Sequence, residues 1–225
     1  MRPDVALRLP FTGRWRVENS PARRVPSHGT DLMGLRYAID FTGVDDRHRT
    51  ATVRDWRTVL ATEPPERFVA FGRPILAPVS GVVVASHDGE VDHEARRSQP
   101  TLVPYALGQA SRLRQGVAAV AGNYVTVRDR ASGTFVSVAH LRNSSLLVRV
   151  GDEVAAGQQI ADCGNSGNST QPHVHVQVND TADFSVARGV PITFERYRER
   201  VRRSASTRAV ERGIPGERAV VEPLE

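Results

Sequence analysis

Apolar and polar positions alternate with a two-residue period along several short stretches of this chain, which points to half-buried strands rather than helices. Tyr37, Ile39 and Phe41 share one face of such a stretch, with Ala38 and Asp40 on the other. Val174, Val176 and Val178 interleave in the same way with His173, His175 and Gln177. Residues 123–128 and 134–140 read as two further strands around a turn containing Ser132-Gly133. The valine-rich run 72–86, broken at Pro74, Pro78 and Gly81, predicts two short strands about a bend, and 146–163 predicts more strand with turns at Gly151-Asp152 and Ala156-Gly157. Residues 1–36 read as strand and loop. Helical spacing is confined to 51–60, around Val53, Trp56, Val59 and Leu60 and closed by Pro64-Pro65, and weakly to 110–113. The pattern predicts an all-β fold, an antiparallel sandwich or barrel-like sheet with short helical insertions. Residues 196–225 interleave arginine and glutamate without apolar period and predict a frayed helix or disordered tail.

Composition narrows the picture. A chain of 225 residues with 40% hydrophobic positions can bury a real core, as one large domain or two small ones. Mean hydropathy is -0.34, and no apolar run approaches the roughly 18–20 residues of a membrane span. Charges interrupt the only apolar stretch near the N-terminus, so neither a membrane span nor a secretory signal is expected. All 30 basic residues are arginine, which excludes a phosphate-binding loop of the Walker type and a Schiff-base lysine. The net charge of +5 comes without a nucleic-acid-binding motif, so no specific nucleic-acid partner is expected. The single cysteine, Cys163, excludes a disulfide framework and reads as a buried, inert thiol. Trp15 and Trp56 read as core or interface anchors.

Chemistry concentrates in the His173-Val174-His175 strand. Side chains two apart share a face, so the valines fill the core while His173, His175 and Gln177 point together the other way. Core packing does not require two imidazoles in register; a metal or proton-transfer site does. Asp40 is a carboxylate within an apolar strand, costly unless paired, exposed or bound to a cation. His140 ends the strand row Val136, Val138, His140, and His28 lies in a Ser-His-Gly-Thr loop. Together these residues supply the imidazoles and carboxylate of a mononuclear zinc site. The nearby group His87, Asp88, Asp92 and His93 has no apolar alternation to fix it and reads as a solvated loop.

Three segments carry a family resemblance: Val138-Ala139-His140-Leu141, the run 150–160 beginning Val150-Gly151-Asp152, and Cys163-Gly164-Asn165-Ser166-Gly167-Asn168-Ser169-Thr170 followed by Pro172-His173-Val174-His175. They closely resemble the lysostaphin-like zinc endopeptidases of bacterial cell walls, and the run 72–83 resembles the strand preceding that family's central sheet. The resemblance extends from about His28 to Val178. It implies a duplicated hybrid-type β fold over residues 1–195, with an N-terminal extension, insertions at about 42–68 and 88–120, and a separate tail from 196. It implies one zinc ion held by His28, Asp40 and His175, with His140 and His173 as catalytic histidines that do not bind the metal. The implied activity is hydrolysis of peptidoglycan peptides, at the cell envelope or outside the cell. The His28–Asp40 loop is longer than in the best-known members. Asp31 lies closer to His28 but lacks the strand context of Asp40. A non-catalytic peptide-binding or regulatory member of the same fold, and a phosphohistidine carrier on a related sandwich, are the alternatives. Oligomeric state is not legible.

Overall fold

The computed structural model describes residues 4–98, 100, 116–200 and 206–224. In chain order the strands of the first half are β1 (Val5–Leu7), β2 (Trp15–Glu18), β3 (Ile39–Gly43), β4 (Pro74–Leu76) and β5 (Gly81–His87). They continue with β6 (Asn123–Asp129), β7 (Phe135–Leu141), β8 (Glu153–Val154), β9 (Gln159–Asp162), β10 (Val174–Asn179), β11 (Ile192–Arg200), β12 (Thr207–Gly213) and β13 (Val220–Pro223). Among the described residues, two short helices, α1 (Arg57–Leu60) and α2 (Val117–Ala121), are complete. The chain is mostly β, as the alternation predicts.

Eleven strands form one sheet in the order β1-β11-β13-β2-β3-β10-β7-β6-β5-β8, with β12 added outside β11. Every pair in it is antiparallel except β1 with β11. β4 and β9 make a separate two-stranded layer. Its Ile75, Ile160 and Ala161 share the core with Val83, Val125, Val127, Val136 and Val138 of the large sheet. The valines of β10 are fully buried in the same core, so both sides of β10 are specified: one by dense apolar packing, the other by its histidines. Around β2, Trp15 stacks on Phe11 at 4.6 Å, and Phe41 meets Phe11 and Phe194 edge-on at 5.1 and 5.4 Å. Arg73 lies over the Trp15 ring at 4.7 Å. Trp15 is thus a core anchor, whereas Trp56 is 63% exposed.

The structure corrects several expectations. Tyr37 belongs to a 3-10 turn, Leu32–Tyr37, and the strand begins only at Ile39. The helix expected over 51–60 is reduced to the single turn of α1, and 110–113 lies outside the described residues. The described part of 196–225 is neither helical nor disordered. β11 runs across 195–196 without a break, and β12 and β13 pair with it. Its interleaved charges are cross-strand partners: Glu199 sits opposite Arg208, Glu195 opposite Arg212 and Arg198 opposite Glu222. Opposite charges in register stabilise a sheet, and the Glu199 carboxylate, itself buried, is paired with the exposed Arg208.

The 42–68 insertion carries its own small core of Ala51, Phe68 and Ala95. Glu63, fully buried, receives both nitrogens of a fork from Arg97, Nε to Oε2 at 2.7 Å and Nη2 to Oε1 at 2.6 Å, while Arg67 stands at 3.7 Å. Truncating one partner of such a pair leaves a buried charge uncompensated. In Arg97→Ala the free energy of opening at the paired Glu63 and Ala95 amides is expected to fall by about 3 kcal/mol, the lower end for a broken buried pair because Arg67 remains. Native-state hydrogen exchange measures it, and Glu63→Gln with Arg97→Ala should recover part of the loss.

Candidate metal centre

Strand pairing explains how distant residues meet. In β3 and β10, Asp40 and His175 are directly opposite partners, and on the other side of β10 His175 stands opposite Ala139 of β7. The face of the sheet away from the valine core therefore carries Asp40, His175 and the end of β7 side by side. His28 is delivered from the loop before the 3-10 turn. One ring nitrogen of His28, one carboxylate oxygen of Asp40 and one ring nitrogen of His175 all lie within 4.8 Å of one another. His28 Nε2 is 3.1 Å from Asp40 Oδ2, and His175 Nδ1 is 2.8 Å from Asp40 Oδ1. Asp31, by contrast, is turned to solvent and paired with Arg36 at 2.8 Å.

His140 reaches this face by a different device. By alternation it would follow Val136 and Val138 into the core, as the strand row suggests. Instead Asn123 pairs with Leu141 and Tyr124 with Ala139, so His140 is the extra residue of a β-bulge. Its backbone is left-handed, with φ of +61°, a strained conformation for a residue with a Cβ. The bulge turns the imidazole out of the core row and into the cleft, while Leu141 resumes full burial. The rings of His140 and His173 then lie 4.6 Å apart and those of His140 and His175 5.9 Å apart.

Hydrogen bonds assign the ring protons. Gln177 donates from Nε2 to the Met33 carbonyl at 2.8 Å, which leaves its Oε1 facing His175 Nε2 at 2.9 Å. An amide oxygen only accepts, so the His175 proton sits on Nε2. In the neutral ring the lone pair of Nδ1 then faces a carboxylate oxygen at 2.8 Å. Two lone pairs at that distance repel unless a cation or a proton lies between them. A histidine that donates its far N–H to an oxygen and turns its other nitrogen toward a shared carboxylate is the usual arrangement of a metal ligand. Two ligands at zinc bond lengths of about 2.0–2.1 Å in a tetrahedron stand roughly 3.3 Å apart, and the two imidazole–carboxylate spacings, 3.1 and 2.8 Å, are close to that. Two imidazoles and one carboxylate suit zinc and leave a fourth position open.

His173 and His140 are held by backbone carbonyls. His173 Nδ1 lies 2.8 Å from the Gln171 carbonyl and 3.0 Å from Ser169 Oγ, and His140 Nδ1 lies 2.9 Å from the Ser166 carbonyl. Both rings therefore present Nε2 to the cleft; that of His173 is 3.8 Å from Asp40 Oδ1. Burial, reinforced by the neighbouring His173 and His175, holds the His140 pKa well below the ordinary imidazole value, so this ring is neutral near pH 7. Burial alone would raise Asp40. The imidazoles of His28 and His173 beside it outweigh burial electrostatically and keep the carboxyl well below its usual range.

The loop carrying these carbonyls is clamped by the segment read from sequence as solvated. Asp92 accepts from the Asn165 amide at 2.6 Å and the Asn143 amide at 3.0 Å. His93 Nε2 meets the Gly167 carbonyl at 2.8 Å, and the Arg96 amide donates to the Thr170 carbonyl at 2.6 Å. Gly167, with φ of +68°, passes so close to Gly122 that a Cβ would sit 2.3 Å from the Gly122 nitrogen. Cys163, at the start of this loop, is buried, and burial raises its thiol pKa far from reactivity. Asn19, whose Nδ2 donates to Asp40 Oδ2 at 2.8 Å, gave no sequence signal. Gln177 did: it shares the alternating face with both histidines. A cleft of about 300 Å³ opens over this face, bounded by apolar groups including Met33, Leu35 and Phe184.

The model of Peptidase family M23 matches residues 67–187. An uncharacterized metalloprotease of Buchnera aphidicola subsp. Baizongia pistaciae is 34% identical over 73 residues, 32% of this chain and 19% of that protein. The peptidoglycan DD-endopeptidase ShyA of Vibrio cholerae is 35% identical over 72 residues, 32% of this chain and 14% of that protein. These matches span less than a fifth of either relative's length. The catalytic domain of lysostaphin from Staphylococcus simulans aligns over 79% of this chain and 88% of its own, with 18% identity and a TM-score of 0.40. The family match contains His140, His173 and His175 but stops short of His28 and Asp40, which the β3–β10 pairing brings to it. Since it covers more than half of the sequence, the chain belongs to Peptidase family M23.

Proposed function

We propose that this chain is a zinc-dependent endopeptidase that cleaves peptide bonds of bacterial peptidoglycan. The observation that supports it best is the orientation of His175, whose Nδ1 lone pair is aimed at the carboxylate it shares with His28. The family and its relative ShyA, a peptidoglycan DD-endopeptidase, point the same way. His28, Asp40 and His175 would hold the metal. When bound there, zinc supplies a Lewis acid for the scissile carbonyl and lowers the pKa of an attacking water. His173, its Nδ1–H held by the Gln171 carbonyl, takes the proton of that water on Nε2. His140, neutral and fixed by the Ser166 carbonyl, is an acceptor at rest. It can donate to a developing oxyanion or to the leaving amine only after gaining a proton, which orders its contribution after that of His173. The apolar side chains of Met33, Leu35 and Phe184 form part of the cleft wall around the site.

The test combines elemental analysis of the purified chain with digestion of defined peptidoglycan fragments. About one zinc per chain and newly released amino groups are expected. Dialysis against a chelator should abolish release, and one equivalent of zinc should restore it. Stoichiometric zinc with no bond cleaved would favour a peptide-binding role instead.

A further inference from the structure

Arg24 lines the same cleft as the five site residues. Its Nε donates to the Ser27 carbonyl at 3.1 Å, one residue before His28, so the stem is anchored beside the site. Among the described residues no carboxylate lies within ion-pair distance of its guanidinium. Other arginines of the chain contrast with it: the adjacent Arg23 is paired with Glu217, Arg36 with Asp31 and Arg16 with Glu18. Among the residues lining the cleft, Asp40 is the single acid, and its two oxygens are already engaged by His28, His175 and Asn19. The cleft thus offers a planar cationic fork with no internal partner, next to groups that carry the proposed hydrolysis.

We propose that Arg24 is a carboxylate-binding subsite, so that the preferred substrates are peptides bearing a free carboxylate near the scissile bond rather than their amidated forms. This inference rests on the peptidase reading above. A guanidinium matches a carboxylate with two parallel N–H···O bonds and discriminates against a carboxamide, which offers one acceptor oxygen and opposes the second donor with an N–H. The carboxylate could be a chain terminus or an acidic side chain; both present the same group.

The experiment uses the full chain loaded with zinc and synthetic peptides in four forms, with acid or amide at the C-terminus and acid or amide on the side chain. Wild type is expected to favour one acid over its amide by roughly 10-fold in kcat/KM, expressed mainly in KM. In Arg24→Gln that ratio should fall to about one, while Arg24→Lys keeps part of it because charge without the fork remains. Equal turnover of acids and amides by wild type, or an unchanged ratio in Arg24→Gln, overturns the proposal. If wild type cuts none of the peptides, the peptidase reading fails. Calorimetric binding of the same acid and amide forms to wild type and Arg24→Gln then decides the subsite on its own: loss of the acid preference in the variant supports it, and no preference in wild type overturns it.

Discussion

Asp40→Asn is expected to purify folded, with little zinc, and to hydrolyse peptidoglycan fragments at no measurable rate. Asp40 is the hub of the cluster: its two oxygens meet His28, His175 and Asn19 within 3.1 Å, and its β3 position sits directly opposite His175. Asparagine keeps the shape, and its carbonyl still accepts from Asn19, but the negative charge that offsets a dication is gone. Losing an outer hydrogen-bond partner of a metal ligand typically costs about 10–100-fold in affinity; losing the only carboxylate of the donor set should exceed that. Some stability should be lost as well, because the contacts of the ionised carboxyl outweigh its desolvation in the folded chain. Zinc content by elemental analysis and far-ultraviolet circular dichroism read the two expectations separately. Full zinc occupancy in this variant would remove Asp40 from the donor set.

His173→Ala is expected to keep its zinc and lose hydrolysis by about 10²–10⁴-fold, the usual worth of general acid–base help. The separation between binding and turnover follows from geometry. His173 stands 3.8 Å from the nearest Asp40 oxygen, outside the triplet of donor atoms, and its Nδ1 is tied to Gln171 and Ser169 rather than to the carboxylate. Removing the ring leaves His28, Asp40 and His175 in place, so metal stoichiometry is the internal control. A loss of zinc together with activity would make His173 a ligand. Retained activity would shift the proton-taking role elsewhere, with His140 the next nearest ring.

Much of this arrangement was legible before any coordinates, for a physical reason. A strand with one face in a valine core has no freedom in where its other face points, so His173, His175 and Gln177 could be grouped from alternation alone. The same logic placed Asp40 opposite the apolar row of its strand. Alternation alone says nothing of how His140 leaves the row of Val136 and Val138, because it cannot register an inserted residue: the bulge that moves this side chain is defined by the pairing of Asn123 and Tyr124 on the neighbouring strand. It failed for Asp92 and His93 because their partners are backbone groups of Asn143, Asn165 and Gly167, distant in sequence and invisible in composition. The Arg/Glu run after 196 misled for a third reason. Antiparallel strands whose charges find partners only once the ladder is formed look, one residue at a time, like a solvated coil.

The direct β3–β10 partnership has a consequence for the life of the polypeptide during synthesis. Its two halves are separated by 135 positions, so a nascent chain halted anywhere before residue 175 owns at most two of the three proposed donors. Proteolytic competence, on this reading, is withheld until the tenth strand slots between its neighbours. Until that strand is in place the proposed donor set stays incomplete, however much of the remaining sheet has formed.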